Sequence, residues 1–149
     1  MAAVGAQTAA RGTPGSLRGS VTTIRPATDR DAPAIAELLD HLGYPADASE
    51  VIPRLESLRG FPATTVLVAE VNERVVGVIT GQVMPSIHST QPVAWLTTLV
   101  VAEDAHGRGI GRDLTLAVEE WARTRGAVRI SRTSGKHRDA AHAFYEHLG

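Results

Sequence analysis

The chain contains no cysteine, which removes disulfides, thiolate catalysis and Cys-ligated zinc together. That absence sits easily with a reducing cytoplasm, where we expect the protein to work. Lysine is nearly missing too: Lys136 stands alone against fourteen arginines, which we read as genome composition bias. No charge sign dominates. The net charge is −1 and the basic residues are scattered, so nothing argues for nucleic acid or an anionic membrane as partner. No apolar stretch approaches the ~20 residues that a membrane-spanning helix requires. The first twenty residues, rich in Ala, Gly, Thr and Ser, lack the apolar core of a secretory signal and read as a disordered tail.

What is present is the composition of an ordinary globular domain: 149 residues, 43% hydrophobic and 21% charged. We expect one domain over residues 21–149. Val21 to Arg25 predicts a short strand stopped by Pro26. A helix follows from about Arg30 to His41, with Ile35, Leu38, Leu39 and Leu42 as its apolar stripe. Ser49 is its successor's expected N-cap, and that second helix ends at Arg59 before Gly60. Thr64 to Val71 and Val75 to Met84 predict two strands joined by a tight turn at Asn72-Glu73-Arg74. Pro85 to Pro92 reads as a polar loop carrying His88, followed by a strand from Val93 to Val101. Ile110, Leu114, Val118 and Trp121 mark one face of a helix closed by Gly126. A strand over Ala127–Arg132 and a helix over Arg138–Leu148 complete a β-α-α-β-β-β-α-β-α order, a mixed α+β domain. Trp95 and Trp121 are assigned to the core.

The most informative segment joins the fourth strand to that glycine-opened helix: His106-Gly107-Arg108-Gly109-Ile110-Gly111-Arg112. A helix start has main-chain N–H groups without intrahelical partners and a partial positive charge, so it suits an anion. Glycines let a phosphate approach that backbone closely. The run is not a P-loop, because Arg112-Asp113 follows Gly111 where Lys-Ser/Thr is needed. It is not a dinucleotide fingerprint either, because the sixth place from Gly107 is Arg112. His137, His142 and His147 are spaced five apart, so successive rings turn by ~140° on a helix and cannot share a metal.

Together with Leu99-Val100-Val101 before it and Ala140-Ala141-His142-Ala143-Phe144-Tyr145-Glu146-His147-Leu148-Gly149 after it, the glycine run resembles the GNAT superfamily of acyl-CoA-dependent N-acyltransferases. The cofactor signature there is Gln/Arg-x-x-Gly-x-Gly/Ala after an apolar strand, and the second is a helix with Ala-x-x-Phe-Tyr-Glu-x-x-Gly. Leu42-Gly43-Tyr44-Pro45 resembles the first helical hairpin of many members. The likeness covers Val21 to Gly149. The chain departs from it at His106, which replaces Gln or Arg. It also stops at Gly149, where the family continues into two more strands. We expect a GNAT-like, mostly antiparallel sheet without those two strands, the chain being truncated or another subunit filling the place, as in a homodimer.

The resemblance implies acetyl transfer from acetyl-CoA to the primary amine of a small molecule, with no metal. Leu99, Val100 and Val101 would hold the pantetheine arm, and an N–H near Leu99 or Val100 would face the thioester oxygen. His106, Gly107, Arg108, Gly109, Ile110, Gly111 and Arg112 would hold the pyrophosphate, with Arg138 or Lys136 touching the cofactor or solvent. Tyr145 is the candidate general acid toward sulfur, or else a packing residue that hydrogen-bonds it. Thr97-Thr98 stands where many members carry a Glu, so proton removal would pass through water to Glu70, His88 or solvent. Glu103 and Asp104 are expected to shape the turn. The rival classes are a non-catalytic acyl-CoA-binding regulatory domain and a nucleotide-binding module.

Overall fold

A computed structural model describes residues 21–132 of the chain. The expected helix over Arg138–Leu148, with Arg138 and Tyr145, lies outside the described residues, as do Lys136, His137, His142 and His147. Strand β1 (Thr22–Pro26) leads through a 3₁₀ turn at Asp29–Asp31 into α1 (Ala32–Leu42) and α2 (Ala48–Arg59). Strands β2 (Thr64–Val71), β3 (Arg74–Ser86) and β4 (Ser89–Val101) follow, then α3 (Ile110–Thr124) and β5 (Ile130–Arg132). The five strands lie in sequence order, each antiparallel to the last until β5, which runs parallel to β4. This is the mixed, mostly antiparallel architecture expected from the sequence.

Two glycines decide where α3 sits. A Cβ on Gly77 would stand 3.0 Å from the Leu114 side chain and 3.4 Å from that of Ile110, and one on Gly81 only 2.8 Å from Val118. Real side chains do not come as close as the approach at Gly81, and the one at Gly77 would be tight, so β3 offers α3 bare backbone and draws it against the sheet. Side chains alternate across a strand, so Val76 and Val78 point to the other face, where they too are buried. The cover there is α1 and α2, which contact β3, β4 and β2. Ile35, Leu38, Val51 and Leu55 supply its buried apolar positions.

Three local expectations need correction. The segment from Pro85 to Pro92 is not a loop: β3 runs to Ser86, β4 starts at Ser89, and only Ile87-His88 turns. The prolines do not break the pair. They fall where the register shifts between Met84 and Ser86, and neither Pro85 nor Pro92 has a register partner in the ladder, so no ladder N–H is lost to them. The second helix is capped at Asp47, whose N–H is held by the Glu50 carboxylate at 2.8 Å, rather than at Ser49. The fifth strand is shorter than expected, beginning at Ile130. The tight turn is Asn72-Glu73, both at positive φ (52° and 66°), between Val71 and Arg74.

Charge buried at the start of α1 is fully paired. Arg25 grips Asp31 with two nitrogens at 2.8 and 2.9 Å, and its Nε donates to Glu70 at 2.9 Å. The Thr28 N–H adds a third bond to Asp31, at 2.7 Å. Burial pushes the Asp31 carboxyl up, but these bonds and the Arg25 charge outweigh it and hold the group below its ordinary 3.8.

Candidate active site

The main-chain groups of β4 can be assigned strand edge by strand edge. Ala102 N–H bonds Val76 C=O at 2.7 Å, so in the register that pairs Val78 with Val100 and Thr80 with Thr98, those residues point inward to β3. Leu99 and Val101, between them, point outward. Before this stretch, Ala94 also points outward, to Arg129. The register shift between Thr80 and Gly81 leaves Thr97 as the extra residue of β4, a β-bulge. Plain alternation from Ala94 would have turned Thr98 and Val100 outward instead. The bulge is braced by a hydroxyl pair, Thr80 Oγ1 to Thr97 Oγ1 at 2.6 Å.

Among the described residues β5 pairs with β4 only from Ala94 to Leu96. The outward N–H and C=O of Leu99 therefore have no strand beside them there. This edge, already bent by the bulge, can take an extended amide-bearing ligand as an added strand.

The edge runs directly into the glycine loop. After Val101 the chain makes a 3₁₀ turn at Glu103–Ala105, and the His106 Nε2–H then reaches back to the Val101 carbonyl at 2.9 Å. Arg74 clamps Asp104 with two bonds of 3.0 Å, so that carboxylate faces β3 and holds the turn. Its pKa is lowered first by those bonds. Gly107 and Gly109 take φ of +83° and +79°, a conformation that favours glycine, and nothing lies within 4 Å of where their Cβ atoms would be. The first intrahelical bond of α3 is Asp113 N–H to Gly109 C=O at 2.9 Å. The N–H groups of Ile110, Gly111 and Arg112 have no acceptor within the helix. No side chain caps this end. Open space, N–H groups without helical acceptors and the exposed side chains of Arg108 and Arg112 form a cradle whose geometry would suit an anion. Asp113, in the first turn, is the opposing charge, and burial raises its pKa.

The structure thus brings together the predicted strand end, Leu99 to Val101, and the predicted loop, His106 to Arg112. It does not bring His88 to them. That residue is exposed at the hairpin turn, on the order of 30 Å of extended chain from Thr97. Glu70, on β2, is held by Arg25 and lines a cavity with Arg74, Ala102, Glu103 and Asp104, beside the turn that follows β4. The sequence reading missed Thr80, although a threonine in the otherwise aliphatic Val75–Gly81 stretch was a signal. It also missed Arg132, which sits opposite Leu96 on β5, where burial lowers its pKa. Among the described residues no group of His, Asp and Glu could hold a metal, and no helix is long and apolar enough to cross a membrane.

Comparison with known proteins agrees with this geometry. Residues 32–149 match the model of the acetyltransferase (GNAT) family. An aminoglycoside N(6')-acetyltransferase type 1 of Stenotrophomonas maltophilia is 31% identical over 134 residues, which cover 87% of this chain and 86% of that one. An aminoglycoside N-acetyltransferase solved in complex with CoA superposes with a TM-score of 0.73 at 17% identity, over 90% of each chain. A transcriptional regulator from Bacillus halodurans has the same fold, with a TM-score of 0.69 at 24% identity over 86% of this chain and 91% of its own. With an outward strand edge leading into a glycine-built anion cradle, and a family model covering most of its length, this chain belongs to the GNAT acetyltransferase family.

Proposed function

We propose that the protein is an N-acetyltransferase that moves an acetyl group from acetyl-CoA to a primary amine of a small molecule in the cytoplasm. The observation that carries this reading is the unbroken path from the outward main chain of Leu99 to the cradle at Gly107–Arg112. The cradle suits a pyrophosphate, and the edge suits the two amides of a pantetheine arm. In this arrangement the Leu99 N–H donates to the thioester oxygen. Val100 cannot, because its N–H points to β3. One such donor contributes on the order of 3 kcal/mol to the transition state. The amine nitrogen attacks the carbonyl carbon, the C–S bond breaks, and the amine loses its proton to water. Tyr145, carried over from the family motif, protonates the departing sulfur. Arg138, which precedes that motif in the sequence and is not part of it, would add charge beside the cofactor.

The acceptor class is suggested by the 31% identical relative, whose name specifies the 6'-amine of an aminoglycoside. We therefore place polyamino sugars first among acceptors. A second reading, an acyl-CoA-binding regulatory domain, is favoured by Thr97-Thr98 in place of a carboxylate. The fold it shares with a transcriptional regulator points the same way. Calorimetric titration with acetyl-CoA, followed by thiol release over a panel of aminoglycosides and simpler amines, tests both. Binding with turnover supports the enzyme, and binding without turnover on any amine supports the regulator. Absence of acetyl-CoA binding refutes both.

A further inference from the structure

We propose that His106 is a positioning residue: it locks the phosphate cradle to the strand edge so that both halves of coenzyme A meet the protein in one register. This rests on the coenzyme A reading above. Three observations carry it. Val101 points outward on β4, so its carbonyl would be the next acceptor along the edge after Leu99, and His106 occupies it at 2.9 Å. One of the two acceptor sites of that carbonyl is then taken, which leaves the Leu99 carbonyl as the freer outward acceptor and disfavours a slip of the ligand strand by two residues. His106 immediately precedes Gly107, so the same bond fixes where the cradle begins relative to the edge. The turn's other ties are its own 3₁₀ bonds, the Ala102 N–H to Val76, the exposed Arg74–Asp104 pair and Arg108 Nη2–H to the Asp104 carbonyl at 3.4 Å, none of which reaches the Val101 carbonyl.

The hydrogen bond itself is exposed, so its loss leaves the core intact. What changes is the ordering that a ligand must supply on binding. Coenzyme A spans edge and cradle and must fix one against the other. A fragment that occupies the cradle alone does not. We therefore expect His106→Ala to weaken coenzyme A by about threefold to tenfold, the worth of one exposed hydrogen bond. Adenosine 3'-phosphate 5'-diphosphate, which carries the pyrophosphate without the pantetheine, should change by less than about twofold by the same reasoning.

The experiment is calorimetric titration of wild type, His106→Ala and His106→Gln with these two ligands, beside thermal melts of each protein. His106→Gln, whose amide also donates, should bind coenzyme A within about twofold of wild type. Coenzyme A affinity unchanged in His106→Ala overturns the proposal, as does equal loss of both ligands or a Gln variant as weak as Ala. Wild type that binds neither ligand overturns the coenzyme A reading itself. The two failures are therefore distinguishable.

Discussion

Placing a carboxylate at Gly109 separates the anion cradle from a glycine-rich turn of no consequence. Gly109 has φ of +79° and nothing within 4 Å of its Cβ position. A Cβ there is free of contacts and starts a side chain toward the space a phosphate would enter. Asp and Asn tolerate this backbone better than other residues, so folding should lose only about 1 kcal/mol, a melting shift of a few degrees. The effect on binding is larger. At ~5 Å, a carboxylate repels each phosphate charge by about 0.8 kcal/mol in water and about 3 kcal/mol at an effective dielectric of 20. Two charges on a pyrophosphate double this. We expect Gly109→Asp to weaken coenzyme A by roughly tenfold at the least and beyond a hundredfold if the site is partly dry. Gly109→Asn has the same shape without the charge and sets the steric share. Titration at low and high salt completes the assay, because the difference between Asp and Asn should shrink as salt screens it. Undiminished affinity in Gly109→Asp, or an Asp–Asn difference that ignores salt, would refute the cradle.

Other expectations follow from the packing and the charges. Gly81→Ala puts a methyl 2.8 Å from Val118, a fully buried, β-branched neighbour, and should cost about 1–3 kcal/mol in urea unfolding. Asp31 has a folded-state pKa below 3.8, so its stabilising contribution is present above pH ~4 and lost as pH falls through the lower folded value. Asp31→Asn should flatten that acid limb of the stability curve, and an unchanged limb would mean the pairing with Arg25 contributes nothing. Tyr145→Phe should lower turnover several-fold while leaving coenzyme A affinity in place. An unchanged rate would make Tyr145 a packing residue.

Much of this architecture is readable along the chain, where the information is local. The apolar spacing from Ile110 to Trp121 and the β-branched run from Thr64 to Val71 set their elements within a residue or two of what is observed. The glycine loop was legible only in context, because a Gly-x-Gly-x-Gly run alone also fits a plain turn, and the strand before it and the Phe144-Tyr145 segment after it gave it meaning. The errors arise where pairing decides. Pro85 and Pro92 are breakers by local preference, yet the hairpin takes them up at a register irregularity between Met84 and Ser86. The bulge at Thr97 leaves no local trace, because an extra residue exists only relative to β3. It decides, however, that Leu99 and not Val100 turns its main chain outward, away from β3. The bond from His106 to Val101 was invisible for the same reason: five residues apart in sequence, the two groups meet only because a 3₁₀ turn folds the chain back.

The seating of α3 makes the cradle answerable to a distant point. Val118 lies against Gly81, while Leu114 and Ile110, whose own N–H belongs to the cradle, lie against Gly77. Eight residues of helix separate Val118 from Ile110, about 12 Å. The helix is stiff over that span and acts as a lever whose fulcrum is Gly77. A displacement of ~1 Å at the Gly81 end swings the axis by about 5°, and the three N–H groups at the other end turn with it. A side chain on β3 can thus misdirect an anion it never approaches. Loss of coenzyme A affinity in a Gly81 variant that still folds would then report the angle of a rod, not a missing contact.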